Sequence, residues 1–270
     1  MRFSSVAIAA ALACTLISTQ LWAKPGEFPG RKEFPKVPVM ELSQLNDQLD
    51  QVTVVDTRSS YEFNTLKLKG AVNIPIAAKD FVEQIKKLKA TSNKPVVFYC
   101  NGRTCYKSYL AADQAQKAGI KDVHAFDAGI FEWAMAQPNK TELLGKSPVR
   151  PNDLISAEKY SSRLLSPDAF SQKILDMDKN SMVLDIRDKY QRAGVGFYPG
   201  KERWVSLDDQ KALEKFIQKA KTSKKALFIY DEVGKQVRWL QYALERNGIK
   251  EYYFMKKGAK AYYADISKFK

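Results

Sequence analysis

Cys100 and Cys105, two of the three cysteines in the 270-residue chain, stand in Cys100-Asn101-Gly102-Arg103-Thr104-Cys105-Tyr106-Lys107-Ser108. The run opens where the apolar stretch Val96 to Tyr99 ends, and a helical pattern with Tyr109, Leu110, Ala112 and Ala115 follows it. A thiol between a strand and a helix faces backbone N–H groups that converge at the helix N-terminus. Such groups favour the thiolate and form a cradle for an anion. Arg103 and Lys107 add positive charge. The expectation is a nucleophilic Cys100 that attacks an anionic substrate held by Asn101, Gly102, Arg103, Thr104, Cys105 and Lys107. The plain alternative is a structural core cysteine.

Other chemistries fit less well. An oxyanion clamp of the phosphatase kind needs an arginine six positions after the cysteine, and Tyr106 stands there. Two cysteines and the lone His124 do not make the four ligands of a structural zinc, so no metal and no cofactor is expected. The glycine-bearing loop matches neither nucleotide fingerprint. A net charge of +14 favours anionic small molecules, acidic proteins or anionic lipid headgroups. Tyr252, Tyr253, Tyr262 and Tyr263 with Lys256, Lys257 and Lys260 read as a last strand and a solvated basic face rather than a base-stacking surface, so no nucleic acid partner is expected.

The elements that would position Cys100 occur twice. Val52 to Val55 precedes Asp56-Thr57-Arg58, and Met182 to Leu184 precedes Asp185-Ile186-Arg187. Val96 to Tyr99 and Ala226 to Tyr230 are continuous apolar runs, as expected of parallel strands buried on both faces. Gly119-Ile120 and Gly248-Ile249 end the helices that follow, and Gly129 and Trp133 pair with Gly258 and Tyr262, each match 129 residues apart. Strands alternating with helices predict an α/β fold of two tandem domains, each a small, mainly parallel sheet flanked by helices.

The boundaries expected are a signal peptide over 1–23, an extended arm over 24–39, a first domain over 40–136, a linker over 137–159 and a second domain over 160–270. The apolar run Val6 to Ile17 is too short for a bilayer span of roughly 20 residues, and the small-residue site at Ala23 suits cleavage. Export to a bacterial periplasm follows, with lipidation at Cys14 as the alternative. Membrane association is expected only for a lipoprotein or an uncleaved signal. Apolar residues at 45% and charged residues at 27% exclude a disordered tail protein and a polytopic membrane protein.

Asp56-Thr57-Arg58, Tyr61-Glu62-Phe63, Gly70 to Pro75, Val97 to Cys100, and Gly129 with Trp133 resemble, in order, the signatures of a rhodanese domain. The second half resembles a divergent copy. The resemblance implies a sulfurtransferase: Cys100 takes a sulfane sulfur from a small anionic donor such as thiosulfate, forms a persulfide, and passes the sulfur to a thiol, cyanide or protein acceptor. It also implies that Asp56 and Arg58 brace the sheet, with Arg58 the partner of Glu62. Leu66-Lys67-Leu68-Lys69 departs from the Gly-His-Ile-Pro of many members, and the loop after Cys100 is about two residues longer than in compact ones, by alignment of the motifs. Asp231 stands where the second half would carry its cysteine, so that domain is expected to be inactive, the reverse of the usual tandem order. Cys105 reads either as a resolving thiol that attacks the Cys100 persulfide or closes a disulfide, or as a small buried filler. The alternatives to sulfur transfer are a non-catalytic binding or scaffold protein, and a thiol-disulfide or oxyanion reductase using both cysteines.

Overall fold

The computed structural model describes residues 27–192 and 196–266. The expected signal peptide and Cys14 lie outside the described residues.

In chain order the elements are α1 (Gly30–Glu33), α2 (Leu42–Asp47), β1 (Thr53–Asp56), α3 (Ser60–Thr65), β2 (Leu66–Leu68), β3 (Val72–Asn73), α4 (Phe81–Thr91), β4 (Val96–Tyr99), α5 (Lys107–Lys117), β5 (Val123–Phe126), α6 (Gly129–Ala136) and β6 (Thr141–Leu143). The second half follows with α7 (Ala157–Ser161), β7 (Leu164–Leu165), α8 (Pro167–Met177), β8 (Ser181–Asp185), β9 (Glu202–Trp204), α9 (Gln210–Ser223), β10 (Ala226–Tyr230), α10 (Val237–Arg246), β11 (Tyr252–Met255) and α11 (Gly258–Ile266). The first sheet has the order β3-β1-β4-β5 and the second β7-β11-β10-β8-β9. All strand pairs within both are parallel. The fold is α/β, with mainly parallel sheets flanked by helices.

Both apolar runs are central strands, and every residue of β4 and β10 is buried. Side chains alternate between faces along a strand. Val96 and Phe98 therefore pack outward with Phe81 and Ile85 of α4 and Ala112 and Ala115 of α5. Val97 and Tyr99 share a different cluster with Trp133 of α6, Leu227 and Ile229 of β10, and Trp239 and Leu240 of α10. The inner faces of the two sheets thus contribute to one core that runs between the lobes. Phe131 stacks on Trp239 across that boundary, with ring centroids 5.3 Å apart.

Two expectations about the connections need correction. The stretch expected as a linker carries β6, which pairs antiparallel with β2, so chain beyond residue 136 completes the first lobe. The arm expected to be extended contains α1, and it then joins the edge of the first sheet: Ala125 N–H donates to Pro38, and Met40 N–H donates to Ala125. Prolines and missing periodicity hid both features, because a three-residue strand and a single helical turn leave no periodic signal. The Val39 bridge beside β5 matches the place of β7 beside β11, so the repeat begins at that edge.

The two glycines matched in the repeat have a shared cause. Gly129 and Gly258 open α6 and α11 at φ +67° and +62°, each pressed on the loop after the central strand of its own lobe. A Cβ on Gly129 would lie 2.6 Å from Gly102 Cα. Gly129→Ala is expected to lower stability by about 1–3 kcal/mol and to displace the cysteine loop. Urea unfolding, read beside the alkylation rate of the reduced cysteines, checks it; a variant as stable as the parent would contradict the packing argument.

Candidate functional site

β4 delivers Cys100 to the carboxyl end of the sheet, and α5 begins seven residues later. Cys100 and Cys105 form a disulfide with Cα atoms 6.4 Å apart, inside the roughly 4.4–6.8 Å that such a bond usually spans. Of the two readings of Cys105, the structure thus shows the paired one. Cys100 is 1% exposed, whereas Cys105 is half-buried. The Cys100 sulfur lies 3.1 Å from the Cys105 carbonyl oxygen and 3.8 Å from Ser108 Oγ. With the pair closed, the Cys100 sulfur meets a carbonyl oxygen rather than convergent amides, and Cys100 is covered. The loop is held from both sides. Cys105 N–H donates to Gly102, and Ile130 N–H at the start of α6 donates to the Cys100 carbonyl.

The expected substrate-binding cations also have partners. The Arg103 guanidinium donates to both carboxylate oxygens of Glu132, at 2.5 and 2.8 Å, and lies over the Phe28 ring. Its charge is taken up by α6 and the arm rather than offered to Cys100, a pairing that no local pattern marks. Lys107 Nζ stands 3.9 Å from Glu62. Asn101 joins the support, accepting from Arg58 Nη1 and donating to Glu62, both at 3.3 Å. Gly102 lies against Gly129, and Thr104 is exposed at the loop tip.

Arg58 does not pair with Glu62. It forks onto Asp56, its Nη2 at 2.6 Å from Oδ2, and donates to the Leu66 carbonyl; both side chains are fully buried. Asp56 ends β1 two residues earlier, so its Oδ1 can take the Arg58 backbone N–H and Nε together. The second lobe repeats the device with Asp185 and Arg187. Above Arg58 lies the Trp239 ring of the second lobe, 4.9 Å from the guanidinium carbon.

Glu62 instead caps α3: Ser59 Oγ accepts from Glu62 N–H, and the Glu62 carboxylate accepts from Ser59 N–H. The Ser-x-x-Glu spacing is a capping box. Burial pushes the Glu62 carboxyl up, but Lys107, Arg58 and the Ser59 hydrogen bonds outweigh it and hold the group below its ordinary value of 4.5. An acid depressed by folding stabilises the native state above its unfolded pKa, and that contribution is lost as pH falls through the folded value. Glu62→Gln is therefore expected to flatten the fall of Tm below about pH 4.5, without steepening it. Parallel acid limbs in the two proteins would rule this out.

Where Cys100 stands in the first lobe, Asp231 follows β10 in the second. Its carboxylate accepts backbone N–H groups from Val233, Gly234, Gln236 and Val237. The convergent cradle expected for Cys100 is formed here and filled by the chain's own carboxyl group. Burial nevertheless pushes the Asp231 carboxyl up, against those four donors. The neighbouring Glu232 faces Arg187 at 3.7 Å. Between the loops of the two lobes lies a cleft of about 580 Å³, with Cys105, Tyr106 and Lys107 on one wall and Lys235, Arg238 and Trp239 on the other. His124 sits on β5, away from this cleft.

The model of the rhodanese-like domain family matches residues 40–136, which include β1, β4, the cysteine loop and α6. Residues 40–136 are a rhodanese-like domain. An HTH-type transcriptional regulator of Mycobacterium tuberculosis is 35% identical to the chain over 86 residues, covering 32% of this chain and 36% of the regulator. A tRNA uridine(34) hydroxylase of Cytophaga hutchinsonii is 34% identical over 98 residues, covering 36% of this chain and 30% of the hydroxylase. The chain spans about a third of the length of these curated relatives. A thiosulfate sulfurtransferase from Pseudomonas aeruginosa is similar to 85% of this chain over 42% of its own, at 16% identity and a TM-score of 0.38. The rhodanese-like domain contributes Cys100, Cys105 and the Asp56–Arg58 brace, and the second lobe supplies the facing wall.

Proposed function

We propose that the rhodanese-like domain transfers a sulfane sulfur through a persulfide on Cys100, and that Cys105 closes the cycle. The observation that carries the reading is a cysteine at the carboxyl end of the central strand, bonded to a second cysteine on the same loop. In the reduced protein the Cys100 thiolate attacks the outer sulfur of thiosulfate; the new sulfur–sulfur bond forms as sulfite leaves with the electron pair. An acceptor thiolate or cyanide can take that sulfur and restore Cys100. Alternatively the Cys105 thiolate attacks the Cys100 sulfur and expels hydrosulfide. That branch oxidises both cysteines and reduces the transferred sulfur, leaving the disulfide as product.

The test is intact-protein mass spectrometry of reduced protein after exposure to thiosulfate. One added sulfur on the peptide containing Cys100 supports the reading, and reduced protein that gains none refutes it. A thiol-disulfide reductase is the second reading, favoured by the closed pair; it requires Cys105 as strictly as Cys100. Export belongs to the same proposal, since a disulfide persists most readily in an oxidising compartment. Among the described residues no helix is long and apolar enough to cross a membrane.

A further inference from the structure

The disulfide presents its two sulfurs unequally. Cys105 lines the cleft between the lobes, whereas Cys100 lies behind it at 1% exposure. Thiol-disulfide exchange depends on which sulfur an incoming thiolate can reach. The cleft, at about 580 Å³, falls within the roughly 300–1,000 Å³ of small-molecule sites. Its charges are uneven. Lys107 faces Glu62, while Glu232 lies 3.7 Å from an Arg187 already forked onto Asp185, so Glu232 offsets one of the two cations on its wall. Lys235 is exposed and has no carboxylate within salt-bridge distance among the described residues, and the Arg238 guanidinium lies over Phe131 without one. The second lobe's wall is therefore net cationic and partly aromatic, with Tyr160 and Trp239 beside these groups.

We infer that the cleft admits a small carboxylate-bearing thiol that reduces the disulfide by attacking Cys105, with Lys235 of the second lobe selecting for its negative charge. The inference rests on the sulfur-transfer reading, for which it supplies the reducing step that reopens the site. The thiolate forms a bond to Cys105 Sγ as the Cys105–Cys100 bond breaks. The electron pair leaves on Cys100, whose sulfur lies 3.8 Å from Ser108 Oγ. A second thiolate then attacks the mixed disulfide, so two thiols become one small-molecule disulfide and the protein gains two electrons. On this account the second lobe, which carries aspartate at the cysteine position, acts as the recognition wall of the first lobe's site.

The experiment uses the oxidised full chain with two probes, glutathione and the neutral 2-mercaptoethanol, quenched early with an alkylating agent. Trypsin cleavage after Arg103 separates the two cysteines. The expected result is glutathione on the Cys105 peptide and alkylation on the Cys100 peptide. Lys235→Glu should lower the ratio of the glutathione rate to the 2-mercaptoethanol rate about tenfold at low salt. Glutathione on the Cys100 peptide, or a ratio unmoved by Lys235→Glu, would overturn the inference. Neither outcome touches the persulfide test, which starts from protein already reduced.

Discussion

Cys100→Ser should bring sulfur transfer from thiosulfate to cyanide down to the uncatalysed rate, because a serine hydroxyl neither ionises near neutral pH nor carries a persulfide. Cys105→Ser should act differently. With no partner for Cys100, the variant should turn over without prior reduction, while the parent in its disulfide form should stay silent until a thiol opens it. The pair of variants separates the readings: equal loss in both identifies a dithiol enzyme, and undiminished turnover in Cys100→Ser removes sulfur transfer altogether. Steady-state assays on reduced and oxidised samples, with the cysteine state followed by mass, provide the measurement.

The second large effect is on stability. Asp56 and Arg58 are both fully buried, and Arg58 also anchors to Leu66 and Asn101. Removing the carboxylate leaves a guanidinium in the core with its main acceptor gone. Asp56→Ala is expected to cost about 3–5 kcal/mol, as when one partner of a buried pair is deleted. Arg58→Ala should fall in the same range, and the double variant should lose less than the two single losses together, since neither charge is then stranded. Denaturant unfolding of the three variants forms the cycle. Strict additivity would show that the pair does not act as a unit.

Much of the frame was legible in the chain. Val96 to Tyr99 and Ala226 to Tyr230 announce central strands because full burial on both faces leaves no polar position, and both are buried throughout. Gly129 and Gly258 could be matched by spacing, although the reason for them, close approach to a loop, appears only in three dimensions. The site was less legible. The resemblance pairs Arg58 with Glu62, yet Asp56 at the end of β1 reaches it sooner, while Glu62 is taken by the Ser59 cap. Ser59-x-x-Glu62 carried that information as a capping pattern. Arg103 reads from the sequence as a substrate contact, but its partner Glu132 lies 29 residues away on α6, a distance at which sequence pattern is silent. The role of Asp231 as an occupant of a cradle likewise depends on backbone N–H directions that residue types do not encode.

The core shared between the lobes bears on how the chain can be divided. Cutting after residue 136 to isolate the family-matched segment would detach β6 from β2 and uncover the Trp239-facing sides of Phe131 and Arg58. An excised fragment of that kind would offer a sticky apolar face to its neighbours, so aggregation of the isolated segment is the natural outcome, and the two halves should melt as a single cooperative unit.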